Sequence, residues 1–308
     1  MSVAPTHTSL VYDGDLAYAA EAGGFLRAGL EQGHRALVMA PPSRIELVAS
    51  ALGADAEAVV FVDEAVAYEP QWNAYRVLLD HLSPTPGVRT RVVAEQVLAR
   101  RSAAELVDYR RLESSANVVF AGRAVDLLCP YDAGTLSDGL LDIARRAHDG
   151  LRLRGSVVPN ADFRDPFEEL AALAAVVPPP ADATTLDCSD ESDVALVRRT
   201  VRATGSRDGL DPGVLEDLEV AVSEILTNAL LHGSPPTLVH LYEEADMWVC
   251  HVQDGGGLPV DPLAGVVPPA EPSDHGYGLW LARQLVAAVD VGSDRTGTHV
   301  RLHARMPG

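Results

Sequence analysis

Three polar side chains recur at four-residue intervals in the segment AVSEILTNALLHG: Glu224, Asn228 and His232. Because an α-helix has about 3.6 residues per turn, a helix over this segment places all three on one face. Mg²⁺ accepts oxygen ligands and is commonly bound together with substrate phosphates. The stripe predicts either a site in which Asn228 binds Mg²⁺ and Glu224 orients or deprotonates a nucleophile, or the solvated face of an amphipathic helix. Apolar neighbours such as Ile225 and Ala229 keep the stripe narrow, which favours the site.

Three glycine-containing segments follow this stripe. DGGG, beginning at Asp254, comes after the strand-like MWVCHVQ, where a carboxylate could accept a hydrogen bond from an adenine amino group. GYG at residues 276–278 precedes a helix-like segment whose N-terminal amides could bind phosphate. Gly297-Thr298 offers a hydroxyl before the last strand. Each segment alone is typical of an ordinary turn, but their order after the polar stripe predicts that the C-terminal part binds ATP.

The elements around these motifs predict an α+β sandwich. Asp211-Pro212 is typical of a helix start, and Gly233 of a helix end. TLVHLYEE and MWVCHVQD alternate like an antiparallel strand pair. A helix is expected from Leu279 to about Val289, and THVRLHARM is expected to be the closing strand.

The N-terminal part alternates strand-like and helix-like segments, which predicts an α/β domain with a largely parallel, buried sheet. The predicted strands are SLVYDG, RALVMA, VVFVD, RVVAEQV, NVVFAG and VDLLCPY. The predicted helices cover residues 15–32, 43–52, 72–82 and 103–114. A Pro-rich stretch, AVVPPPADATTLDCSDESD, interrupts this pattern. The expected division is therefore a domain over residues 1–160, a connecting helix and linker over 161–184, and a second domain over 185–308.

Composition limits the kinds of partner. The 308 residues carry a formal net charge of -20, so direct binding to DNA or RNA is not expected and a partner with a basic surface is favoured. Three cysteines lie far apart with no CxxC pair, which predicts neither a disulfide framework nor a zinc site and fits a reducing cytoplasm. No signal peptide, transmembrane segment or membrane association is expected.

The four C-terminal motifs together resemble the ATP-binding domain shared by gyrase, histidine kinases and MutL, the GHKL or Bergerat type, over roughly residues 184–308. SEILTNALLHG and GTHVRL look closest to the anti-sigma factor serine kinases of the RsbW and SpoIIAB type. The resemblance implies Mg²⁺ with ATP or ADP as cofactors, Asn228 as the metal ligand, Glu224 as the general base and Asp254 as the adenine contact. Further nucleotide-binding positions implied by the resemblance are Gly256, Gly276, Gly278, Leu279, Thr298 and, with its role left open, His232.

The sequence departs from this family pattern in two places. The first glycine box usually reads DxGxG, and here Leu258 stands where the second glycine belongs. The lid between Pro259 and His275 has no Lys or Arg, although phosphoryl transfer needs positive charge beside the γ-phosphate. Nucleotide binding is therefore better supported than kinase turnover.

HTSLVYDGD, FLRAGLEQGHRALVMAPP and LLCPYD resemble the MEDS sensory domain of DcmR-type regulators, over about residues 7–150. The resemblance implies a RecA/KaiC-like fold that senses or docks an unknown small molecule or protein. No GxxxxGK[ST] motif follows the first strand, so this domain is not expected to hydrolyse ATP. Polar side chains expected at strand ends, where open α/β sheets bind ligands, are His7, Tyr12, Glu95, Cys129, Tyr131 and Asp132. Cys129 is also typical of a small buried apolar residue.

The leading hypothesis is a cytoplasmic, RsbA-type anti-sigma regulatory factor that binds Mg-ATP. It holds a sigma factor, phosphorylates a Ser or Thr on a STAS-domain antagonist and is controlled by its N-terminal domain. A homodimer is compatible with the family. The alternative is a nucleotide-binding or docking regulator without kinase turnover. An atypical sensor histidine kinase is disfavoured, because none of the ten histidines has the phosphoacceptor pattern, and His148 is interpreted as a surface or helix-end residue.

Overall fold

The computed structural model describes residues 6–257, 260–268 and 277–307. The chain divides into two compact units. Residues 1–69, 73–101 and 110–169 form the first, and residues 70–72, 102–109 and 170–308 form the second. Within the described residues, every helix is too short or too polar to cross a membrane.

The first unit contains a seven-stranded sheet in the order β3-β2-β4-β5-β1-β6-β7. All neighbouring strands are parallel except β6 and β7, which confirms the predicted largely parallel sheet. Its middle strands are apolar and buried, as expected of a sheet covered on both faces. The strands are β1 (Thr6–Tyr12), β2 (Arg35–Ala40), β3 (Val59–Asp63), β4 (Thr90–Ala94), β5 (Val125–Asp132), β6 (Gly150–Leu153) and β7 (Ser156–Pro159).

Helices of the N-terminal half alternate with strands as predicted, except at one segment. They are α1 (Asp15–Leu30), α2 (Pro42–Leu52), α3 (Glu64–Ala67), α4 (Asn73–His81), α5 (Ala103–Val119), α6 (Asp138–Ala147) and α7 (Pro166–Leu173). The strand predicted over NVVFAG is wrong, because α5 continues to Val119. Its valines favour strands in isolation, but Asn117 donates to the carbonyls of Glu113 and Ser114 one turn back and stays in the helix.

The second unit contains a separate antiparallel sheet of five strands in the order β11-β12-β10-β9-β8. It comprises β8 (Thr184–Asp187), α8 (Glu191–Arg207), α9 (Pro212–His232), β9 (Leu238–Glu244), β10 (Met247–Asp254), α10 (Gly278–Leu285), β11 (Ala288–Asp294) and β12 (Gly297–Arg305). Val222 and Leu226 of α9 share one core with Trp248 and Cys250 of β10 and Leu302 of β12. The predicted pairing of β9 with β10 is confirmed.

The expected helix from Leu279 to Val289 ends earlier, at Leu285, and β11 follows it. Val289 is fully buried, and Val291 packs against the same core from the same face of β11. Because β11 turns directly into β12 at Asp294, its apolar residues are buried through strand pairing rather than along a helix. This edge strand contributes Val291 to the site described next.

Candidate functional site

Helix α9 positions the polar stripe. Asp211 caps the helix by accepting a hydrogen bond from the Gly213 amide at 2.8 Å, and Pro212 is its first residue. The buried face of the helix anchors it against the sheet. Glu224 and Asn228 are half-buried on its remaining face, and His232 is exposed in the last turn.

Gly278, the first residue of α10, lies directly against that stripe. A Cβ atom at this position would stand 2.7 Å from Asn228 Nδ2 and 3.1 Å from Glu224 Oε2. These separations are too short for an added methyl group without a shift of the neighbouring side chains. The residue type at 278 therefore sets how closely the start of α10 approaches the amide and the carboxylate.

Asp254 and Thr298 face each other at the ends of paired strands. Asp254 ends β10, Thr298 follows the first residue of β12, and the two are partners in the antiparallel register. Asp254 is buried, and its Oδ1 accepts a 2.6 Å hydrogen bond from the Gly256 amide. Its Oδ2 lies beside Gly233, where a Cβ atom would stand only 2.7 Å away. Two glycines thus let the backbone close around one carboxylate.

A cavity of about 250 Å³ is bordered by residues from α9, β10, α10 and β12. Among the residues implied by the family resemblance, Asn228, His232, Asp254, Gly256, Leu279 and Thr298 line it. Glu224 and Gly278 are not among its lining residues, but both are beside Asn228. Gly276 lies outside the described residues, as does Leu258, the residue at the departure from the glycine box.

The sequence analysis did not identify the apolar wall of this cavity. Val252, Val291 and Val300 come from three adjacent strands and line it together. Val252 and Val300 each lie two residues from a polar site residue, so the alternation of β10 and β12 could have indicated them. Val291 was not indicated, because the sequence predicted a helix up to about Val289 and no strand where β11 lies. An apolar wall beside a buried carboxylate and half-buried polar groups suits a flat base with a polar edge.

The described residues that line the cavity include no Lys or Arg. Asn228 and His232 are the nitrogen-bearing side chains among these residues. Phosphoryl transfer needs positive charge at the transferred group, and a bound cation is one source of it.

In the first unit, a polar cluster lies where β1, β4 and β5 end, as predicted for Tyr12, Glu95 and Asp132. The Tyr12 hydroxyl donates to Glu95 Oε1 at 2.7 Å. Arg44 of α2 pairs with Asp132 at 2.9 Å and stands 3.7 Å from Glu95. Burial raises the pKa of Glu95 to about 7. Arg44 was not singled out from the sequence.

Residues 188–304 match the histidine kinase-like ATPase domain family, and residues 6–149 match the MEDS family, the methanogen/methylotroph DcmR sensory domain. The serine-protein kinase RsbW of Halalkalibacterium halodurans is 29% identical over 113 residues, which are 33% of this chain and 69% of that protein. Both family resemblances seen in the motifs are confirmed.

Two solved structures are also similar. The RsbU and RsbW domains of a Mycobacterium tuberculosis protein give a TM-score of 0.30 at 21% identity, covering 40% of this chain and 32% of that chain. The histidine kinase domain of a blue-light activated histidine kinase from Erythrobacter litoralis gives a TM-score of 0.25 at 18% identity, covering 66% and 91%. The chain thus spans less than two thirds of the first of these structures.

Proposed function

Because this chain joins a MEDS domain to a histidine kinase-like ATPase domain related to RsbW, we propose that it is an ATP-binding anti-sigma regulatory factor. Its proposed domains are a RecA/KaiC-like sensory domain over residues 1–160, a connecting helix and linker over 161–184, and the ATPase domain over 185–308. The proposed location is the cytoplasm. The protein acts as a switch: with Mg-ATP bound it holds a sigma factor, and phosphorylation of a STAS-domain antagonist changes its partner.

The observation that carries this proposal is the convergence of Asn228, Asp254 and Thr298 on one cavity. They come from three elements that are separate in sequence and differ in chemistry: an amide, a buried carboxylate and a hydroxyl. The three valines give adenine an apolar surface, and Asp254 gives its amino group an acceptor. Asn228 is placed for Mg²⁺ and for the phosphates that Mg²⁺ accompanies.

We assign Glu224 the role of general base in this proposal. It is one turn from Asn228 on α9, and both side chains border Gly278. In this proposal Glu224 accepts the proton of the substrate Ser or Thr hydroxyl as that oxygen attacks the γ-phosphate. Mg²⁺ held by Asn228 offsets the charge that develops on the phosphoryl oxygens.

Charge supports the choice of partner class. The chain carries a net charge of -20, which favours a partner with a basic surface and disfavours nucleic acid. The DNA-facing surfaces of sigma factors are basic. The relative named a serine-protein kinase supports Ser or Thr as the acceptor. The MEDS domain is the proposed receiver of a small-molecule or protein signal, and a homodimer is part of the same proposal.

The kinase step is tested by incubating the whole protein with γ-labelled ATP, Mg²⁺ and each STAS-domain protein of the source organism. Transfer of label to one of them, lost in Glu224→Gln, is the expected result. Glu216→Gln is the matched control, because Glu216 is an exposed carboxylate on the same helix. Transfer at the wild-type rate by Glu224→Gln would contradict the assigned base.

A second function, nucleotide-dependent docking without phosphoryl transfer, is favoured because the described residues that line the cavity include no Lys or Arg and the lid sequence from Pro259 to His275 has none either. It predicts that a sigma factor binds more tightly in Mg-ATP than without nucleotide, while no STAS-domain protein is labelled. An atypical histidine kinase would instead give acid-labile label on the protein itself.

A further inference from the structure

Four potential metal ligands meet in the interior of the first unit, far from the nucleotide cavity in sequence and independent of it. His7 comes from β1, Glu113 from α5 and Cys129 from β5, and His148 directly follows α6. All four are buried, with exposed fractions of 6%, 4%, 4% and 0%. One side-chain atom of each lies within 4.8 Å of the others.

Hydrogen bonds on the outer side of both imidazoles indicate which ring nitrogen carries the proton. His148 Nδ1 is 2.8 Å from the carbonyl oxygen of Ala144, which can only accept. His7 Nδ1 is 3.2 Å from Asn117 Oδ1, and the amide nitrogen of Asn117 donates to the carbonyl of Ala147, which identifies Oδ1 as the acceptor. Both Nδ1 atoms therefore donate, and in neutral imidazoles both Nε2 atoms carry lone pairs.

Both Nε2 atoms lie close to another acceptor. His7 Nε2 and His148 Nε2 lie 3.3 Å and 3.2 Å from the same oxygen, Glu113 Oε2. Within the described part of the chain, Glu113 Oε2 and His148 Nε2 are buried without a hydrogen-bond partner. Acceptors gathered in a buried site are costly unless something positive lies between them. A cation shared by the four atoms removes this conflict.

Distances and ligand chemistry select the ion. A tetrahedral zinc site with bonds of about 2.0–2.3 Å places its ligand atoms roughly 3.3–3.8 Å apart. The two distances to Glu113 and the 3.5 Å from Cys129 Sγ to His7 Nε2 are close to this range. Thiolate and imidazole favour Zn²⁺ over Mg²⁺ or Ca²⁺. One thiolate and one carboxylate also neutralise a divalent ion, which suits a buried site.

We propose that His7, Glu113, Cys129 and His148 bind one Zn²⁺ in the N-terminal unit. The Cys129 thiol releases its proton to water as the Zn–S bond forms, and the two imidazoles bind through Nε2. Asn117 and the carbonyl of Ala144 orient the imidazoles from outside, as outer partners of zinc-bound histidines do. The ion ties two strands of the parallel sheet to α5 and α6.

Two expectations from the sequence concern this site. His148 was interpreted as a surface or helix-end residue; it directly follows α6, which confirms the helix end, but it is fully buried rather than at the surface. The cysteine spacing gave no zinc motif because only one cysteine takes part, and the other three ligands come from distant segments that the sheet and two helices bring together.

The test uses the whole protein, stripped with a chelator and titrated with Zn²⁺ and then with Co²⁺. One equivalent of Zn²⁺ is expected to bind, and the Co²⁺ form is expected to show a thiolate-to-cobalt charge-transfer band in the near ultraviolet. Cys129→Ser should abolish the band. Cys188→Ser, which alters another buried cysteine outside the cluster, should keep it. A band that survives Cys129→Ser, or is lost in Cys188→Ser, would overturn the assignment.

A measurement on the wild type alone covers the case in which Cys129→Ser does not fold. Chelation is expected to lower Tm by about 5 °C or more, and one equivalent of Zn²⁺ should restore it. The proposal is wrong if the stripped protein takes up no stoichiometric Zn²⁺ and its Tm is unchanged by the metal. Neither result bears on ATP binding, which is measured separately.

Discussion

Gly278 lies so close to Asn228 that a Cβ atom at residue 278 would stand 2.7 Å from Asn228 Nδ2. Gly278→Ala is therefore expected to push the amide or the start of α10 away and to weaken Mg-ATP binding by roughly 10-fold, about 1.4 kcal/mol. Tm is expected to change by only a few degrees, because the atoms that the Cβ would meet are the ends of two side chains. Calorimetry with Mg-ATP and thermal unfolding measure the two effects.

Gly24→Ala is the matched control, since a Cβ atom at this glycine of α1 meets nothing within 4 Å. It should leave nucleotide affinity unchanged. Wild-type Mg-ATP affinity in Gly278→Ala would show that the contact with Asn228 does not shape the site.

Asp254 provides a second test through base selectivity. In Asp254→Asn, the side chain proposed to face the adenine amino group can present a donor instead of an acceptor. ATP affinity is expected to fall by about 10-fold or more, because an unmet hydrogen bond in a buried site costs about 1–3 kcal/mol. Affinity for GTP, which lacks that amino group, should change much less.

Competition between ATP and GTP for the two proteins measures this difference. Asp246→Asn, an exposed carboxylate in the turn between β9 and β10, is the control and should behave like the wild type. An equal loss of ATP and GTP affinity in Asp254→Asn would argue against an adenine contact.

The sequence predicted the elements around the candidate cavity well because their signals are local. Asp211-Pro212 and Gly233 mark the ends of α9, and the alternation of β10 and β12 marks two strands. The prediction that the helix continues through Val289 is wrong. A short apolar segment fits the periodicity of a helix as well as that of a strand, and pairing with β12 makes this one a strand.

The four residues proposed to bind Zn²⁺ could not be predicted in the same way. They lie on or directly beside four elements, and each one read alone resembles an ordinary core or surface residue. Only the parallel order of β1 beside β5 brings His7 and Cys129 together.

Glu95 makes the stability of the first unit pH-dependent. Its pKa is about 7 in the folded protein, against an ordinary value of 4.5, because of burial. Between these values the unfolded chain has lost the proton that the folded chain keeps, so raising the pH favours unfolding. Glu95→Gln has no such cost. Its stability relative to the wild type should increase by about 2.5 kcal/mol from pH 5 to pH 8, measured by urea unfolding.

Glu57→Gln, at an exposed carboxylate, is the control for that experiment and should show no comparable trend. A stability difference between Glu95→Gln and the wild type that is the same at both pH values would refute the raised pKa.

Asp108 is a fully buried carboxylate within the second unit. It accepts hydrogen bonds from Trp72 Nε1 at 2.7 Å, from Arg283 at 3.2 Å and from the Val289 amide at 3.3 Å. Asp108→Ala leaves the guanidinium of Arg283 buried without this carboxylate and should cost about 3–5 kcal/mol of unfolding free energy. Asp80→Ala, which breaks an exposed pair with Arg76, should cost less than about 1 kcal/mol. Equal costs in urea unfolding would contradict the assigned role.

Binding of Mg-ATP at α9 through Asn228 is tested by calorimetry of ATP titrations with and without Mg²⁺. Asn228→Ala is compared with the wild type and with Thr227→Ala, an exposed neighbour on the same helix. The expected result is Mg²⁺-dependent binding in the wild type and Thr227→Ala, with affinity reduced about 10-fold or more in Asn228→Ala. Wild-type affinity and Mg²⁺ dependence in Asn228→Ala would contradict the assigned metal ligand, and no binding to the wild type would contradict the nucleotide site itself.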